Sequence, residues 1–418
     1  RGRMNKVIKT RNSASGDMTA YYADESSTQL DYSLIKREIK NGTIKPHYRL
    51  HWLNPDETEK ELLPEQDILS GGSFTENYQN GQRRSLSITL FNETRKYTPS
   101  INGLWINTKF SYDLGWEMNN GDIVWFKKGT YVVTNITPSH DPTSKNVSLE
   151  LSDKFAVFES GKGVLEMTYT IPVGEDIEET LNGILQFSAG DGNVLDPQPM
   201  IYNSAFKGKK TQASISKEAG SNFGEIIAEL CTQLNAEYFY DVCGYLNIVP
   251  INDVTDDVDK PIIDSIFEEH GDFGANNLTL DFENIVNRVI VIGGNSNSKT
   301  YRAVAVNDDP SSPLCYQRIG YRTASPINDS NITSDILAQD RADYELRNKL
   351  ILKSSASTDV MLNPFYIVNN IIEITDNFYG FEQEKFLIQS ISYNLDYSGS
   401  MSVSSSNTRN LPFTTTRR

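Results

Sequence analysis

His47 and His51 stand four residues apart, a spacing that would set two imidazoles on one face of a helix and invite a metal. The residues around them, Tyr48-Arg-Leu-His-Trp-Leu53, alternate as a strand does, and no glutamate stands between the pair to complete a zinc-protease motif. Gly293-Gly-Asn-Ser-Asn-Ser-Lys299-Thr300 imitates a phosphate-binding loop, but Ser298 occupies the place of the glycine that lets backbone amides wrap a phosphate. A strand, Tyr301 to Val306, follows where such a loop needs a helix N-terminus, so a hairpin is expected there. Acid is concentrated in Asp253-Val-Thr-Asp-Asp-Val-Asp259 and Glu268-Glu-His-Gly-Asp272 without the alternation, central glycine and closing glutamate of a calcium loop. Cys231, Cys243 and Cys315 form no Cys-x-x-Cys pair and read as reduced thiols. No Gly-x-Ser-x-Gly elbow is present, and no carboxylate pair can be singled out for glycoside cleavage. No catalytic, cofactor-binding or metal-ligating residue is therefore nominated, and the chain is expected not to be an enzyme.

The composition narrows the class further. With 418 residues the chain is long enough for two or three domains, each with its own core. Its 55 acidic against 39 basic side chains give a net charge of -16, the wrong sign for holding nucleic acid by phosphate neutralisation, though suited to a wall that DNA slides past. No apolar run approaches the roughly 20 residues of a membrane span, and Arg1 to Asp31 lacks the apolar stretch of a signal peptide, so cytoplasmic synthesis without a membrane anchor is expected. The Asn-x-Ser/Thr triplets at Asn41, Asn92, Asn135, Asn146, Asn277 and Asn331 then read as turns of a β protein rather than glycan acceptors.

The elements that must position these residues are mostly strands. Residues 1–45 form a polar arm. From Pro46, His47–Leu53, Ser85–Phe91, Asp122–Phe126, Tyr131–Thr137 and Val147–Leu151 alternate between turn-forming clusters, which predicts an antiparallel sandwich or barrel over 46–160. Helical spacing then takes over at Ile177, Leu181, Ile184 and Leu185, and at Phe223, Ile226, Ile227, Leu230 and Leu234 with Ser221 or Asn222 as cap. A hairpin turning at Asp241–Gly244 completes an α+β module over 161–260. Strand signals return in Asn287–Ile292, Tyr301–Val306 and Ile371–Thr375, with one helix, Ser334–Leu350, presenting Ala338, Ala342, Leu346 and Leu350; a second barrel with a packed helix is expected over 261–410, followed by a tail, 411–418. A weak repeat links the halves: Asn119–Val124, Tyr131–Thr137 and Val147–Leu149 are echoed by Asn369–Ile374, Phe386–Ser392 and Met401–Val403.

Gln66–Tyr78 followed by Arg84–Asn92, then Asn222–Asp241 with Gly244–Pro250, then Asn287–Gly293, the helix with Ala338 and Ala342, Phe386–Ser392 and Gly399–Met401, resembles, in order over residues 46–410, the baseplate hub proteins of tailed phages and phage-like contractile particles. The resemblance implies a mainly β fold in which two tube-protein-like antiparallel β-barrels are separated by a small α+β module. It also implies a homotrimeric ring that adapts the sixfold tail tube to a threefold central spike and lines the DNA channel, with DNA present only in transit. Implied partners are the tail tube or distal tail protein, the spike or tail lysin, the tape-measure protein and other baseplate proteins; the implied location is the virion tail, assembled in the host cytoplasm. The family has no catalytic residues to carry over, and no cofactor is implied. Two other classes stay open: a tail-associated peptidoglycan hydrolase, for which no compact His or Glu motif is found, and a carbohydrate-binding adhesin. The 21 Tyr, 18 Phe and 4 Trp fit an adhesin, but Trp105, Trp116 and Trp125 lie among strand signals and read as core or interface.

Overall fold

Runs of alternating apolar and polar residues in this chain build strands that pair over long sequence distances. The computed structural model describes residues 6–12, 18–22, 37–40, 45–100, 103–119, 121, 123–142, 144–188, 190–250, 262–280, 285–296, 299–329, 332, 334–349 and 354–407. Strands of the first part are β1 Lys6–Asn12, β2 Met18–Tyr22, β3 Pro46–Leu53, β4 Glu59–Leu62, β5 Ile68–Asn77, β6 Arg84–Phe91, β7 Lys109–Glu117, β8 Ile123–His140 and β9 Lys145–Asp153. The middle contributes β10 Tyr169–Ile171, β11 Ile201–Tyr202, β12 Ile215–Lys217, β13 Ala236–Tyr240 and β14 Leu246–Pro250. The last part holds β15 Ile262–Phe267, β16 Phe273–Leu280, β17 Arg288–Ser296, β18 Lys299–Val306, β19 Ile327–Asp329, β20 Ser354–Met361, β21 Ile371–Asp376, β22 Phe381–Leu395 and β23 Ser400–Asn407.

The fold is mainly antiparallel β. A single sheet runs β16-β20-β23-β22-β5-β6-β9-β8-β7-β3-β4, so the two β halves are joined edge to edge where β22 pairs with β5, from Ser390 opposite Asn77 to Leu395 opposite Gly72. One apolar core serves both halves: Leu50, Ile88 and Phe110 belong to the same cluster as Ile374, Ile388 and Val403. Each half curls. In a flat sheet β5 and β7, four positions apart, would lie about 19 Å apart, yet the Phe74 and Tyr112 ring centroids are separated by 6.0 Å. Likewise Asn276 on β16 donates to Asp376 at the end of β21, 2.8 Å away, across the curl of the second half.

The repeat seen in the sequence is a duplication of strand order. Across the sheet the first half reads β3-β7-β8-β9-β6-β5 and the second β15-β21-β22-β23-β20-β16, the same order of first, fourth, fifth, sixth, third and second core strands. Paired rows match as well: Asn135–Glu150–Ser87–Ser73 corresponds to Ser390–Ser404–Ser357–Asn277. A bulge interrupts β8 between Val133 and Asn135 and β22 between Ile388 and Ser390, at the same offset that separates Tyr131 from Phe386. Ahead of β7 and of β21 an asparagine takes positive φ, Asn107 at 64° and Asn369 at 66°. Asn107 N–H donates to Val133 and Val133 N–H to Thr108; Asn369 N–H donates to Ile388 and Ile388 N–H to Asn370. The halves differ in one strand direction, since β3 is antiparallel to β7 and β15 is parallel to β21.

Three expectations need correction. The segments expected at Asp122–Phe126 and Tyr131–Thr137 are not two strands: Ile123–Phe126 and Tyr131–Thr137 belong to one 18-residue strand, β8, because Gly129, at φ 147°, bends the chain without reversing it. The counterpart of the Asn369–Ile374 segment is therefore β7 and not the start of β8. β7 itself carries no alternating signal because nearly all of it, Asp113 and Gly115 included, is buried on both faces. Finally, the Asn287 and Tyr301 segments do not enter the second curled half: β17, β18 and β19 form a separate sheet inserted between β16 and β20, with its own core. The helix Asp335–Lys349 packs on that sheet through Ala338, Ala342 and Leu346, while Leu350 lies outside the described residues.

The middle module has a third core, built around helices Ile177–Leu185 and Phe223–Leu234 and the β11-β14-β13 sheet. Asp176 and Asn222 cap the two helices by accepting from Glu179 N–H and Glu225 N–H. Among the described residues no helix is long and apolar enough to cross a membrane.

Candidate functional site: joints and open edges of the duplicated sheet

Buried charge is placed where the parts of the chain meet. Lys154, just past β9, is 1 % exposed; its Nζ lies 2.7 Å from Glu57 Oε1 and 2.5 Å from Asp196 Oδ1, and donates to Gly244 O at 2.9 Å. Lys109 joins from β7, 2.8 Å from the same Glu57 oxygen. The Tyr240 hydroxyl donates to the other Asp196 oxygen. Two ammonium groups thus meet two carboxylates, locking the β3–β4 turn and β7 to the middle module. Burial alone would raise the Glu57 carboxyl, but Lys154 and Lys109 outweigh it and hold it below the usual range; burial keeps Asp196 raised.

A second joint lies at the β5–β6 hairpin. Arg83 pairs with Glu237 on β13 and lies 3.7 Å from the Phe239 ring centroid; Arg84 pairs with Glu76 at 2.5 Å and donates to Tyr240 O at 2.8 Å. The backbone N–H groups of Arg83, Arg84 and Phe155 all donate to Asp153, whose carboxyl burial pushes up to about 6. Tyr78 N–H donates to Gln389 O at 2.7 Å, so this hairpin also grips the second half.

Lys128 on β8 makes the third joint. Its buried Nζ donates to Pro364 O at 2.7 Å and Tyr366 O at 3.4 Å in the loop before β21, and burial pushes the ammonium from 10.5 down to about 8. Between those values the folded chain has shed a proton that the unfolded chain keeps, so stability is expected to rise with pH across this window, by about 3 kcal/mol at most. Urea unfolding at pH 8, 9 and 10 checks this: Lys128→Met should lose that rise relative to wild type, and equal pH slopes would refute it.

The sheet also has open edges. At one end β4, Glu59-Lys-Glu-Leu62, is blunted by charge. At the other end β16, Phe273-Gly-Ala-Asn-Asn-Leu-Thr-Leu280, carries neither charge nor proline and pairs only with β20 among the described residues. A third opening is the second half of β8. β7 pairs with β8 only as far as Val132, so Ile136–His140 has β9 on one side and, among the described residues, no strand on the other. The equivalent stretch of β22 is the one that pairs with β5.

The residues weighed for chemistry are distributed as follows. His47 and His51 lie on one face of β3, as the strand pattern predicts, each between two carboxylates: His47 Nδ1 is 2.8 Å from Glu65 and its Nε2 3.3 Å from Glu117, while His51 Nδ1 is 2.6 Å from Glu59 and its Nε2 3.1 Å from Asp113. Arg49 between them lies 2.6 Å from Asp113 and 4.2 Å from the Trp125 ring centroid. This ladder ties β3 to β4 and β7. In the Gly293–Thr300 segment β17 and β18 pair as a hairpin, Asn295 opposite Thr300 and Ser296 opposite Lys299. Glu268 and Glu269 accept from Asn377, bracing the β21–β22 turn, whereas Asp253–Asp259 lies outside the described residues. No disulfide joins Cys231, Cys243 and Cys315 to one another. Trp116 and Trp125 are buried, and Trp105 is 49 % exposed. The pairings by which the joints reach the rest of the chain were not legible in advance, because Lys154 and Asp196, Arg83 and Glu237, and Lys128 and Pro364 stand far apart in sequence.

No protein-family model matches the chain, and no curated protein matches it in sequence. Solved structures match its fold. The 43 kDa tail protein of prophage MuSo2 from Shewanella oneidensis is 14% identical with a TM-score of 0.55, over 88% of this chain and 100% of that one. The tail protein from Neisseria meningitidis MC58 is 10% identical with a TM-score of 0.56, over 87% of this chain and 96% of that one. A chain of the Francisella PdpA–VgrG complex is 12% identical with a TM-score of 0.56, over 93% of this chain and 63% of that one. At such identities the likeness is one of fold, and the fold is that of phage tail proteins, in line with the hub resemblance of the sequence.

Proposed function

We propose that the chain is a structural, non-enzymatic baseplate hub of a phage or phage-like tail. Three chains form a ring that adapts the sixfold tube to a threefold spike and lines the channel. The observation that carries this reading is the β22–β5 seam. It joins two halves of one strand order inside a single chain, so three copies would supply the six similar units that a sixfold tube needs. Residues 46–160 supply the first barrel, 161–260 the module between the barrels, 261–410 the second barrel with the inserted β17–β19 sheet and its helix carried between β16 and β20, and 1–45 an arm, its β1 laid along β8, for neighbouring baseplate proteins. The tube or distal tail protein, the tape-measure protein and the spike or lysin are the proposed partners, in a virion assembled in the host cytoplasm. A charge of -16 suits a wall past which DNA moves without sticking.

The three buried charge joints support the same reading, since a conduit that acts by geometry needs its parts held rigidly. Light scattering of the purified chain tests the ring: a mass of three chains of 47.0 kDa is expected, and a stable dimer would contradict it.

A further inference from the structure

We infer that the open stretch of β8, Ile136–His140, pairs antiparallel with β16 of a second copy of this chain, and that Trp105 and Ile106 anchor the contact. The inference deepens the ring reading and rests on it. The template is internal. In the second half, Ser390–Leu395 of β22 pairs with β5. Their counterparts by the matched rows are Asn135–His140 of β8 and the β16 strand, and both are open among the described residues. Carrying the register over sets Ser139 opposite Asn277, as Asn394 stands opposite Ser73.

The second observation is a difference in exposure between equivalent residues. By the correspondence of Asn107 with Asn369, Trp105 and Ile106 are the counterparts of Ile367 and Val368. Beside the completed seam Ile367 is 6 % and Val368 2 % exposed; beside the open one Trp105 is 49 % and Ile106 59 % exposed. The turn is fixed rather than loose, since Trp105 N–H donates to Thr108 Oγ1 at 3.0 Å and Thr108 N–H to Trp105 O at 3.1 Å. A fixed turn that presents a tryptophan beside a strand edge left open among the described residues is the kind of preorganised anchor that dominates binding energy. Pro138 can donate no ladder bond, which keeps this seam short and leaves an apolar anchor to supply the rest. The absence of charge on β16, against the charged β4 edge, fits a strand kept open for a partner.

The test uses the full chain. Ser139→Cys with Asn277→Cys, both exposed positions, should give a covalent trimer under mild oxidation, whereas either single variant should not; the singles also control for the native thiols. Trp105→Asp should weaken trimer formation at least tenfold while leaving the thermal transition of the dissociated chain unchanged. If wild type forms trimers but the double variant gives no cross-link and Trp105→Asp assembles normally, this contact is overturned and the ring stands. Trp105→Asp trimers that fail to attach to tails would give the anchor to another tail protein, again overturning the contact. A wild-type chain that stays monomeric at every concentration overturns the ring and the contact with it.

Discussion

Replacing Lys154 with methionine is expected to cost the fold about 3–5 kcal/mol, because it leaves two carboxylates in a buried site with one ammonium between them. Lys109 reaches Glu57, but Asp196 loses its 2.5 Å partner, and Gly244 O loses its donor. Asp196 is already raised by burial, so in the variant it takes up a proton and remains the weakest point of the joint. Denaturant unfolding measures the loss, and hydrogen exchange should place it at the junction of β7, β9 and the middle module. A loss below about 1 kcal/mol would mean that water already reaches this joint and that it does not clamp the module.

Tyr393→Ala should be nearly as damaging, about 3–5 kcal/mol, for a different reason. Tyr393 lies at the seam, opposite Phe74, with ring centroids 4.7 Å apart, and its hydroxyl is 3.2 Å from that of Tyr112. Truncation opens a cavity where the halves meet and leaves the buried Tyr112 hydroxyl without that partner. Because one core spans both halves, wild type should unfold its β halves together. The variant should split this into two transitions or lower both at once. A loss confined to the second half, with the first unchanged, would show that the seam transmits no stability.

The contrast between what the sequence disclosed and what it hid follows from the range of the interactions. The helices Ile177–Leu185 and Phe223–Leu234, with their caps, obey local spacing and were legible, as were the hairpins at Asp241 and Gly293. Tyr131–Thr137 and Phe386–Ser392 were recognisable as copies because each carries the same alternation into the core. β7 was hidden because burial on both faces erases alternation, and the single strand β8 because Gly129 mimics a turn. The seam and the ionic joints were hidden because pairing of Ser390 with Asn77, or of Lys154 with Glu57 and Asp196, leaves no trace in spacing. Among the tryptophans, Trp105 reads locally as core or interface just as Trp116 and Trp125 do, and comparison of the two halves, with Ile367 covered and Trp105 bare, separates it from them.

The central claim is that duplication within the chain and threefold assembly between chains together make a sixfold conduit. Single-particle electron microscopy of the purified, assembled chain tests it most directly. The account predicts a hollow ring of three chains with six similar lobes around the channel and β-sheet running across both kinds of seam. A particle with twofold symmetry, or a three-chain particle with a filled centre and unlike lobes, would contradict it.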